Sequence, residues 1–456
     1  MDVKTLEQIF EKERASILED YFSFLRFASI ATDPAYQAQT HACADWLIHY
    51  LKKIGLEVEV WKTEGSPVIF DQDLRAGSGK ETLLLYGHYD VQPVDPLELW
   101  ESPPFEPTVR NGNVYARGAA DNKGQCFYTI SALKTLLAHL PQLPVNLKLL
   151  IEGEEESGSQ GLAKLLPVKA KELRADHLLI VDAGIEAEDK PSICLGARGI
   201  TCLTVTLTGS HFDLHSGTYG GIAYNPNRAL VELLASLHDK SGKVTIPGFY
   251  KDVKEVSEKE KSLLELDCDV ATLQKEFGIT PTGGEEGFSP FESAWLRPSL
   301  EINGLSGGYG GAGFKTVIPA KALAKLSCRL VADQDPHHIA KLVKDHLERH
   351  VPKGVTIDVF VHPGLGAPFR ASPHSKIVSI LSKAYTEVFQ KPCGYTLLGG
   401  SIPISTDLAK VSEGEMIMIG VGLPGDQIHS PNEHFSLKRF LQGYLLIARA
   451  IQAFNE

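Results

Sequence analysis

The sequence has no paired cysteine motif and no long hydrophobic run. Its seven cysteines are odd in number, widely scattered and without a CxxC pair, at positions 43, 126, 194, 202, 268, 328 and 393. This pattern indicates neither a disulfide framework nor a thiolate zinc site. The opening stretch MDVKTLEQIFEKERASILEDYF alternates charged and apolar residues at helical spacing, without the apolar core of a signal peptide or a membrane span. We therefore expect an amphipathic N-terminal helix and a cytoplasmic protein.

Basic charge is scarcer than acidic charge. The 456 residues include 45 lysines and arginines against 57 aspartates and glutamates, a formal net charge of -12, and no basic stripe offsets it. Such a chain is poorly suited to bind a phosphate backbone or an anionic membrane, so neither nucleic acid nor membrane is an expected partner. The sequence also has no repeat period or low-complexity tract, which excludes solenoids and propellers.

The pattern that is present alternates helices and strands. Hydrophobic residues make up 43% and charged residues 22% of the chain, as in ordinary globular proteins. An amphipathic run up to Lys53 is followed by the strand TLLLYGHYD, the apolar helix FYTISALKTLLAHL, the strand NLKLLIEGEEE and the strand DHLLIVDAG. This order predicts an α/β fold with a mixed, helix-covered sheet.

A change of pattern near Ile200 predicts a second domain. TCLTVTLTG is β-branched and alternating, and the helix NPNRALVELLASLHDK and strands around LRPSLEING and KALAKLSCRLVA follow it. After about Gly364 the first pattern resumes with SKIVSILSKAYTEVF and MIMIGVG. We predict an α+β domain of residues 200–364 inserted into a discontinuous domain of residues 1–199 and 365–456.

Histidine and acidic residues follow several of the predicted strands. His88 and Asp90 lie two apart at the end of an apolar strand, so the carboxylate can orient the imidazole for a metal. Asp121 lies in the loop YARGAADNKGQ, which opens a helix. Taken singly, a strand-terminal histidine more often satisfies a turn, and an aspartate before a helix is more often its N-cap.

The acidic run EGEEESGS is a stronger signal. Glu154, Glu155 and Glu156 directly follow the strand LKLLI, and adjacent carboxylates repel one another unless cations or solvent offset their charge. The location suits one carboxylate that ligates a metal and a neighbour that transfers protons, with a solvated acidic turn as the alternative. Asp182 ends the strand LLIVD and His429 lies in the turn-rich GDQIHSPNE, where each alone also fits a helix cap or a surface residue.

Together these residues predict a two-metal site. They project from strand ends or flanking loops of one sheet, the edge at which open α/β sheets bind ligands. Imidazoles and carboxylates without a thiolate suit zinc, manganese or cobalt, and two ions roughly 3.5 to 4 Å apart need a shared carboxylate. Asp121 is the candidate bridge.

Ordered motifs along nearly the whole chain resemble the M20 family of metallopeptidases, in particular its carnosinase-like cytosolic dipeptidase branch. The matching segments are GHYDVQPVD, YARGAADNKG, EGEEESGS, the aspartate after LLIV, GARGI, DLHSGTYGG, KTVIPAKALAKLSCRL, GGSIP and IHSPNE. The resemblance implies a catalytic domain with an inserted lid and dimerisation domain. It also implies hydrolysis of dipeptides or short peptides that carry a free C-terminal carboxylate.

The resemblance also assigns metal ligands and a general base. The implied ligands are His88, Asp121 and Asp182 for one ion and Asp121, Glu156 and His429 for the other. Glu155 resembles the base that activates a metal-bridging water, and Asp90 resembles the residue that steadies the first histidine. Two divalent ions per subunit are implied, with zinc as the default and manganese or cobalt as alternatives.

Substrate contacts are implied on the inserted domain and on one loop. His215 in DLHSG resembles an oxyanion donor that acts on the partner subunit's site in a homodimer, although the residues alone do not favour it over His211. Thr316 and Arg329 resemble a carboxylate clamp, and Gly400 and Ser401 resemble a substrate-contact loop.

The chain departs from the dipeptidase pattern before that loop. Leu397 and Leu398 stand where dipeptidases carry charged or polar residues. An aminoacylase that deacylates N-acyl amino acids is therefore the alternative function. A non-catalytic peptide or amino-acid sensor is a third hypothesis, but Glu155 argues against it, because a binding site needs no carboxylate beside its metal ligands.

Overall fold

The computed structural model describes residues 1–264, 266, 268–400 and 403–455, which fold into two compact units. The first unit consists of Met1–Leu195, Ala371–Thr396 and Ile404–Glu456, and the second of Gly196–Arg370 and Leu397–Pro403. The second unit thus extends past the boundary expected at residue 364 and includes a short later segment. The backbone N–H of Arg198 donates to the carbonyl of Leu398 and its Nε to that of Gly399, both at 3.0 Å, which ties this segment to the second unit.

The helices and strands follow one another along the whole chain. The helices are α1 Val3–Leu25, α2 Gln37–Lys53, α3 Lys123–His139, α4 Gln160–Leu165, α5 Ala170–Leu173, α6 Ser216–Tyr219, α7 Pro226–Ala235, α8 Glu258–Lys261, α9 Val270–Phe277, α10 Pro290–Trp295, α11 Pro336–His350, α12 Lys376–Phe389, α13 Pro403–Ser412 and α14 Leu437–Gln452. The strands are β1 Glu59–Trp61, β2 Val68–Asp73, β3 Thr82–His88, β4 Thr108–Arg110, β5 Asn113–Tyr115, β6 Asn146–Glu152, β7 His177–Val181, β8 Ser192–Ala197, β9 Gly199–Thr208, β10 Leu214–His215, β11 Ser299–Gly307, β12 Val317–Ile318, β13 Lys321–Leu330, β14 Thr356–Val361, β15 Phe369–Arg370, β16 Gly394–Leu398, β17 Glu415–Ile419 and β18 His434–Ser436.

The first unit is built on a mixed sheet with the strand order β1-β2-β6-β3-β7-β17-β8. Strand β3 pairs in parallel with β6 and β7, and β7 pairs in parallel with β17. The outer pairs β1 with β2, β2 with β6 and β17 with β8 are antiparallel. The central strands are apolar and almost entirely buried, as expected of strands covered on both faces. The predicted α/β fold with a mixed sheet is confirmed.

The expected N-terminal amphipathic helix is also present, as α1. Its buried face consists of Leu6, Phe10, Ile17, Tyr21 and Phe24, at the spacing of one side of a helix. This face packs on α3 and α14. The N-terminus of the chain therefore contributes to the helical layer of the first unit.

The second unit contains an antiparallel sheet with the strand order β11-β13-β9-β14. Along β9, buried and half-buried residues alternate strictly, which shows that one face packs on a core. Helices α7 and α11 contribute Leu230, Leu233, Ile339 and Val343 to that core. Strand β11 lies at the edge of the sheet and is mostly exposed.

Two further expectations concern the cysteines and membranes. All seven cysteines are free in the structure. Across the part of the chain that the structure describes, no helix is long and apolar enough to cross a membrane.

Candidate metal centre

Five side chains of the first unit form two groups, each of which could hold a metal ion. The groups are His88, Asp121 and Asp182, and Asp121, Glu156 and His429, with ligand atoms in each group within 4.8 Å of one another. Nε2 of His88 lies 3.2 Å from Oδ1 of Asp121, and Nε2 of His429 lies 2.9 Å from Oδ2 of the same carboxylate. Asp121 therefore presents one oxygen to each group, which is the geometry of a bridging ligand.

The parallel strands explain why residues distant in sequence meet here. Strands β6, β3 and β7 are neighbours, and parallel strands end at the same edge of a sheet. His88 is the last residue of β3, Asp182 follows β7, and Glu156 lies in a short 3-10 turn after β6. Asp121 comes just before α3, and His429 has a φ of 62° in the loop that precedes β18.

Asp90 is fully buried and links the first histidine to the acidic turn. Its Oδ1 lies 3.2 Å from Nδ1 of His88. Its two oxygens also accept hydrogen bonds from the backbone N–H groups of Glu155 at 3.2 Å and Glu156 at 3.0 Å. A carboxylate at Nδ1 leaves Nε2 of the imidazole available as a ligand. Asp90 thus lies where its predicted orienting role requires, and it also holds the turn that carries Glu156.

Two amide side chains that the sequence did not single out contact the same ligands. Oδ1 of Asn122 accepts from the backbone N–H of His88 at 3.2 Å, and its Nδ2 donates to Oδ1 of Asp182 at 2.7 Å. Nε2 of Gln92 donates to Oε2 of Glu156 at 2.8 Å. Both amides lie inside motifs that carry the family resemblance, which is the one signal that could have identified them.

The carboxylates are crowded and largely buried, and this changes their pKa values. Burial, with the charge of Asp121 second, raises the pKa of Asp182 well above its usual range. Burial also raises the pKa of Glu155 to about 8. Burial opposes ionisation of Asp121 too, but hydrogen bonds with His429 and His88 outweigh it, so its pKa lies below the usual range. The bond to Asp121 contributes most to raising the pKa of His429 to about 10. The cluster as a whole favours bound positive charge.

Unpaired atoms in the cluster fit a pair of divalent ions. Nε2 of His88 and Oε1 of Glu156 are buried and have no hydrogen-bond partner, and each faces one of the two groups. Buried polar atoms are normally paired, and an ion bound to each group would pair these. Imidazole nitrogens with carboxylate oxygens and no thiolate are ligands that zinc, manganese and cobalt accept.

Four of the five residues predicted to contact substrate lie in the second unit, namely His215, Thr316, Arg329 and Gly400. His215 is exposed, and its Nδ1 accepts from the backbone N–H of Gly217 at 3.0 Å at the start of α6. Thr316 is also exposed, and its carbonyl accepts from the backbone N–H of Ser216 at 3.1 Å. The fold therefore brings these two predicted residues together. His211, the alternative histidine, is exposed as well.

Arg329 and Gly400 are two further predicted contacts in the second unit. Arg329 lies on β13, opposite Ile200 of β9. Burial first, and the charge of Arg329 second, lower the pKa of Arg198 to about 10. Arg198 donates to the carbonyl of Gly399, the residue before the predicted contact Gly400. Ser401, the other predicted contact, lies outside the described residues.

The two leucines that depart from the dipeptidase pattern have different environments. Leu397 is buried, whereas Leu398 is 39% exposed. Both line a cavity of about 170 Å³ within the second unit, together with Arg198, Trp295 and Arg370. Of the two leucines that differ from the dipeptidase pattern, Leu398 is therefore the one with a substantially exposed side chain.

Known proteins resemble this chain over most of its length. The sequence model of peptidase family M20/M25/M40 matches residues 84–453. The Cys-Gly metallodipeptidase of Schizosaccharomyces pombe is 28% identical, over 98% of this chain and 97% of its own length. The Beta-Ala-His dipeptidase of Rattus norvegicus is 33% identical, over 84% of this chain and 79% of its own length. The structure of an M20 family metallo-carboxypeptidase from Sulfolobus solfataricus is 32% identical, covers 96% of this chain and 99% of its own, and has a TM-score of 0.84.

Proposed function

The chain belongs to peptidase family M20/M25/M40 and is a metallopeptidase, and we propose that it cleaves dipeptides with the two metal groups as its catalytic centre. The family resemblance inferred from the motifs is thereby confirmed. Two of the relatives named above are dipeptidases, one for Cys-Gly and one for Beta-Ala-His. These names support a small peptide with a free carboxylate as substrate.

The observation that carries the proposal is the shared carboxylate of Asp121. Its two oxygens lie 3.2 Å from His88 and 2.9 Å from His429, one in each group. A structural ion pair has no need of two histidines on opposite oxygens of one largely buried acid, whereas two adjacent cations need such a bridge. We propose zinc as the resident ion in both groups, with manganese or cobalt as alternatives. When bound, the two ions would polarise the scissile carbonyl and acidify water.

Glu155 is the proposed general base. Its neighbour Glu156 is a candidate ligand, whereas neither ligand group includes Glu155. Asp90 accepts from the backbone N–H groups of both residues and so holds the turn that carries them. Burial raises the pKa of Glu155 to about 8, and cations bound beside it would lower that pKa towards neutral pH, where a carboxylate both accepts and releases a proton efficiently. In the proposed reaction, Glu155 takes a proton from the attacking water and passes it to the departing amine.

Arg329 and Thr316 of the second unit are proposed to anchor the substrate's carboxylate. Arg329 suits a carboxylate because a guanidinium donates two parallel hydrogen bonds, and Thr316 adds a hydroxyl. Gly400 and Ser401 are proposed to contact the substrate through their loop.

His215 is proposed to act on the partner subunit's site in a homodimer. The side chain of His215 is exposed and is therefore accessible to a partner subunit, which supports this role. Strand β11 lies at a sheet edge and exposes Leu305 at 59%, and Phe314 in the same unit is 91% exposed. An exposed apolar sheet edge favours association with another chain.

The test is hydrolysis of Cys-Gly and β-Ala-His by the purified protein, before and after chelation, with zinc or manganese restored separately. Metal-dependent cleavage supports the proposal and ranks the ions. An N-acetylated amino acid serves as the matched substrate that lacks a free amine, and its preferential cleavage would favour the aminoacylase. The comparisons do not favour that alternative, because the relatives named are peptidases.

A carboxypeptidase is the second candidate, since the Sulfolobus solfataricus structure matches this chain with a TM-score of 0.84. A tetrapeptide series separates the two functions. A dipeptidase leaves the tetrapeptide intact, whereas a carboxypeptidase releases its C-terminal residue.

A further inference from the structure

The backbone around Asp121 is held by a buried carboxylate that the mechanism above does not use. Glu433 lies four residues after His429 and is fully buried. Its Oε1 accepts from the backbone N–H groups of Ala120 at 2.9 Å and Asp121 at 3.0 Å, and its Oε2 accepts from that of Gly118 at 2.9 Å. Through Glu433, the loop that carries His429 therefore holds the loop that carries Asp121.

Arg117 completes this arrangement. Its Nη1 lies 2.8 Å from Oε2 of Glu433, and each of the two side chains is only 1% exposed. Its Nη2 donates to the carbonyl of Pro93 at 2.9 Å, and its guanidinium lies 5.3 Å from the ring centre of Trp100. The ion pair thus joins three loops, namely the one after β3, the one before α3 and the one that carries His429.

We propose that Glu433 is a positioning residue for the metal centre, which sets the location of Asp121 relative to His429. This inference rests on the proposed two-metal function. A carboxylate suits the task because it accepts from all four donors, whereas a glutamine would turn its own N–H₂ toward backbone N–H groups. Residues that orient metal ligands typically change metal affinity about 10- to 100-fold when they are replaced.

A merely structural role for the ion pair predicts a different result. A buried ion pair broken on one side lowers the stability of the whole fold. A positioning role is asymmetric, because two of the three ligands in the group Asp121, Glu156 and His429 lie on loops that Glu433 joins. Zinc affinity of this group should therefore fall more than that of the group with His88 and Asp182.

The experiment is a competition titration of Zn²⁺ against a chromophoric chelator, on the full chain. We expect Glu433→Gln to bind one of two zinc ions about 10- to 100-fold more weakly than the wild type and the other with a smaller loss. Leu446→Ala is the control, since Leu446 is fully buried on α14 and its truncation destabilises the core without removing a metal-loop contact. Arg117→Lys keeps the charge but loses the planar fork, and should show an intermediate loss.

A variant that lacks His429 shows how strongly Glu433 affects the other metal group. His429→Ala removes a ligand of one group only, so the zinc that it still binds reports on the other group. Adding Glu433→Gln there should weaken that remaining zinc through Asp121, but by less than the roughly 10- to 100-fold loss expected at the other group; a loss of that full size would overturn the asymmetry.

If Glu433→Gln binds both zinc ions with wild-type affinity, the inference is overturned. The same holds if Leu446→Ala loses as much zinc affinity as Glu433→Gln at the same drop in unfolding temperature. If Glu433→Gln does not fold, Arg117→Lys decides, and unchanged zinc binding there also overturns it. Failure of the wild type to bind two zinc ions would instead count against the proposed function.

Discussion

Replacing Glu155 with glutamine should separate catalysis from metal binding. The change is isosteric, and the contacts that hold the turn involve the backbone N–H groups of Glu155 and Glu156, so they survive it. Neither metal group includes Glu155. A general base contributes about 10²- to 10⁴-fold to rate, which corresponds to about 3 to 5 kcal/mol of transition-state stabilisation. We therefore expect kcat to fall by that factor, with two bound ions retained and KM little changed.

The adjacent Glu154 provides a matched control. It belongs to the same acidic run, but its carboxylate accepts from the backbone N–H groups of Ser66 at 2.9 Å and Gly161 at 2.7 Å. Glu154→Gln should therefore cost stability and leave kcat within a few-fold of the wild type. Stopped assays of Cys-Gly hydrolysis give kcat and KM, and elemental analysis of the dialysed proteins gives the metal content.

Two results would refute the reasoning. If Glu155→Gln retained wild-type kcat, Glu155 would not be the base. If it lost a metal ion, the loss of rate would reflect ligation, and the assignment of Glu155 outside the ligand groups would be wrong.

Four further predictions concern the metal ligand His429, the buried Asp71, the exposed strand β11 and His215. His429→Ala should reduce bound zinc from two ions to one, as measured by elemental analysis, because only one group contains this residue. Asp71 is 2% exposed, and burial raises its pKa to about 6. The stability that its protonated form contributes is therefore present below pH 4 and lost as pH rises through 6. In thermal unfolding, Asp71→Asn should stabilise the fold by about 2 kcal/mol at pH 7.5 and give no gain at pH 3.5. Leu305→Lys on the exposed strand β11 should convert the proposed dimer to monomers in light scattering, and an unchanged mass would contradict the dimer. Mixing the His215→Ala and Glu155→Gln proteins should restore some activity if His215 acts on the partner subunit's site, and no rescue after confirmed subunit exchange would contradict that role.

The local sequence pattern was sufficient to predict the central strands of the first unit's sheet. The apolar runs that became β3, β6 and β7 are recognisable because strands buried on both faces carry continuous hydrophobic residues. Polar residues directly after such runs, including His88 and Asp182, could then be predicted to share one edge. The family motifs supplied the ligand assignments that spacing alone left open, such as His429.

The domain limits depended on contacts that no local pattern encodes. The segment from Leu397 onward lies within the range that the sequence assigned to the first unit, but hydrogen bonds from Arg198, about two hundred positions earlier, hold Leu398 and Gly399 in the second. Leu397 and Leu398 are identical in sequence, yet Leu397 is buried and Leu398 is 39% exposed.

The sequence by itself determined that three acids follow a buried strand, and the tertiary structure decided which groups each carboxylate contacts. Glu154 turns to the backbone of Ser66 and Gly161, Glu156 faces His429, and Glu155 belongs to neither group. A run of identical residues has no internal signal that distinguishes them, because their partners lie far away in the chain. The same holds for Glu433, whose hydrogen bonds reach residues more than three hundred positions earlier and exist only because the folded sheet brings both loops to one edge.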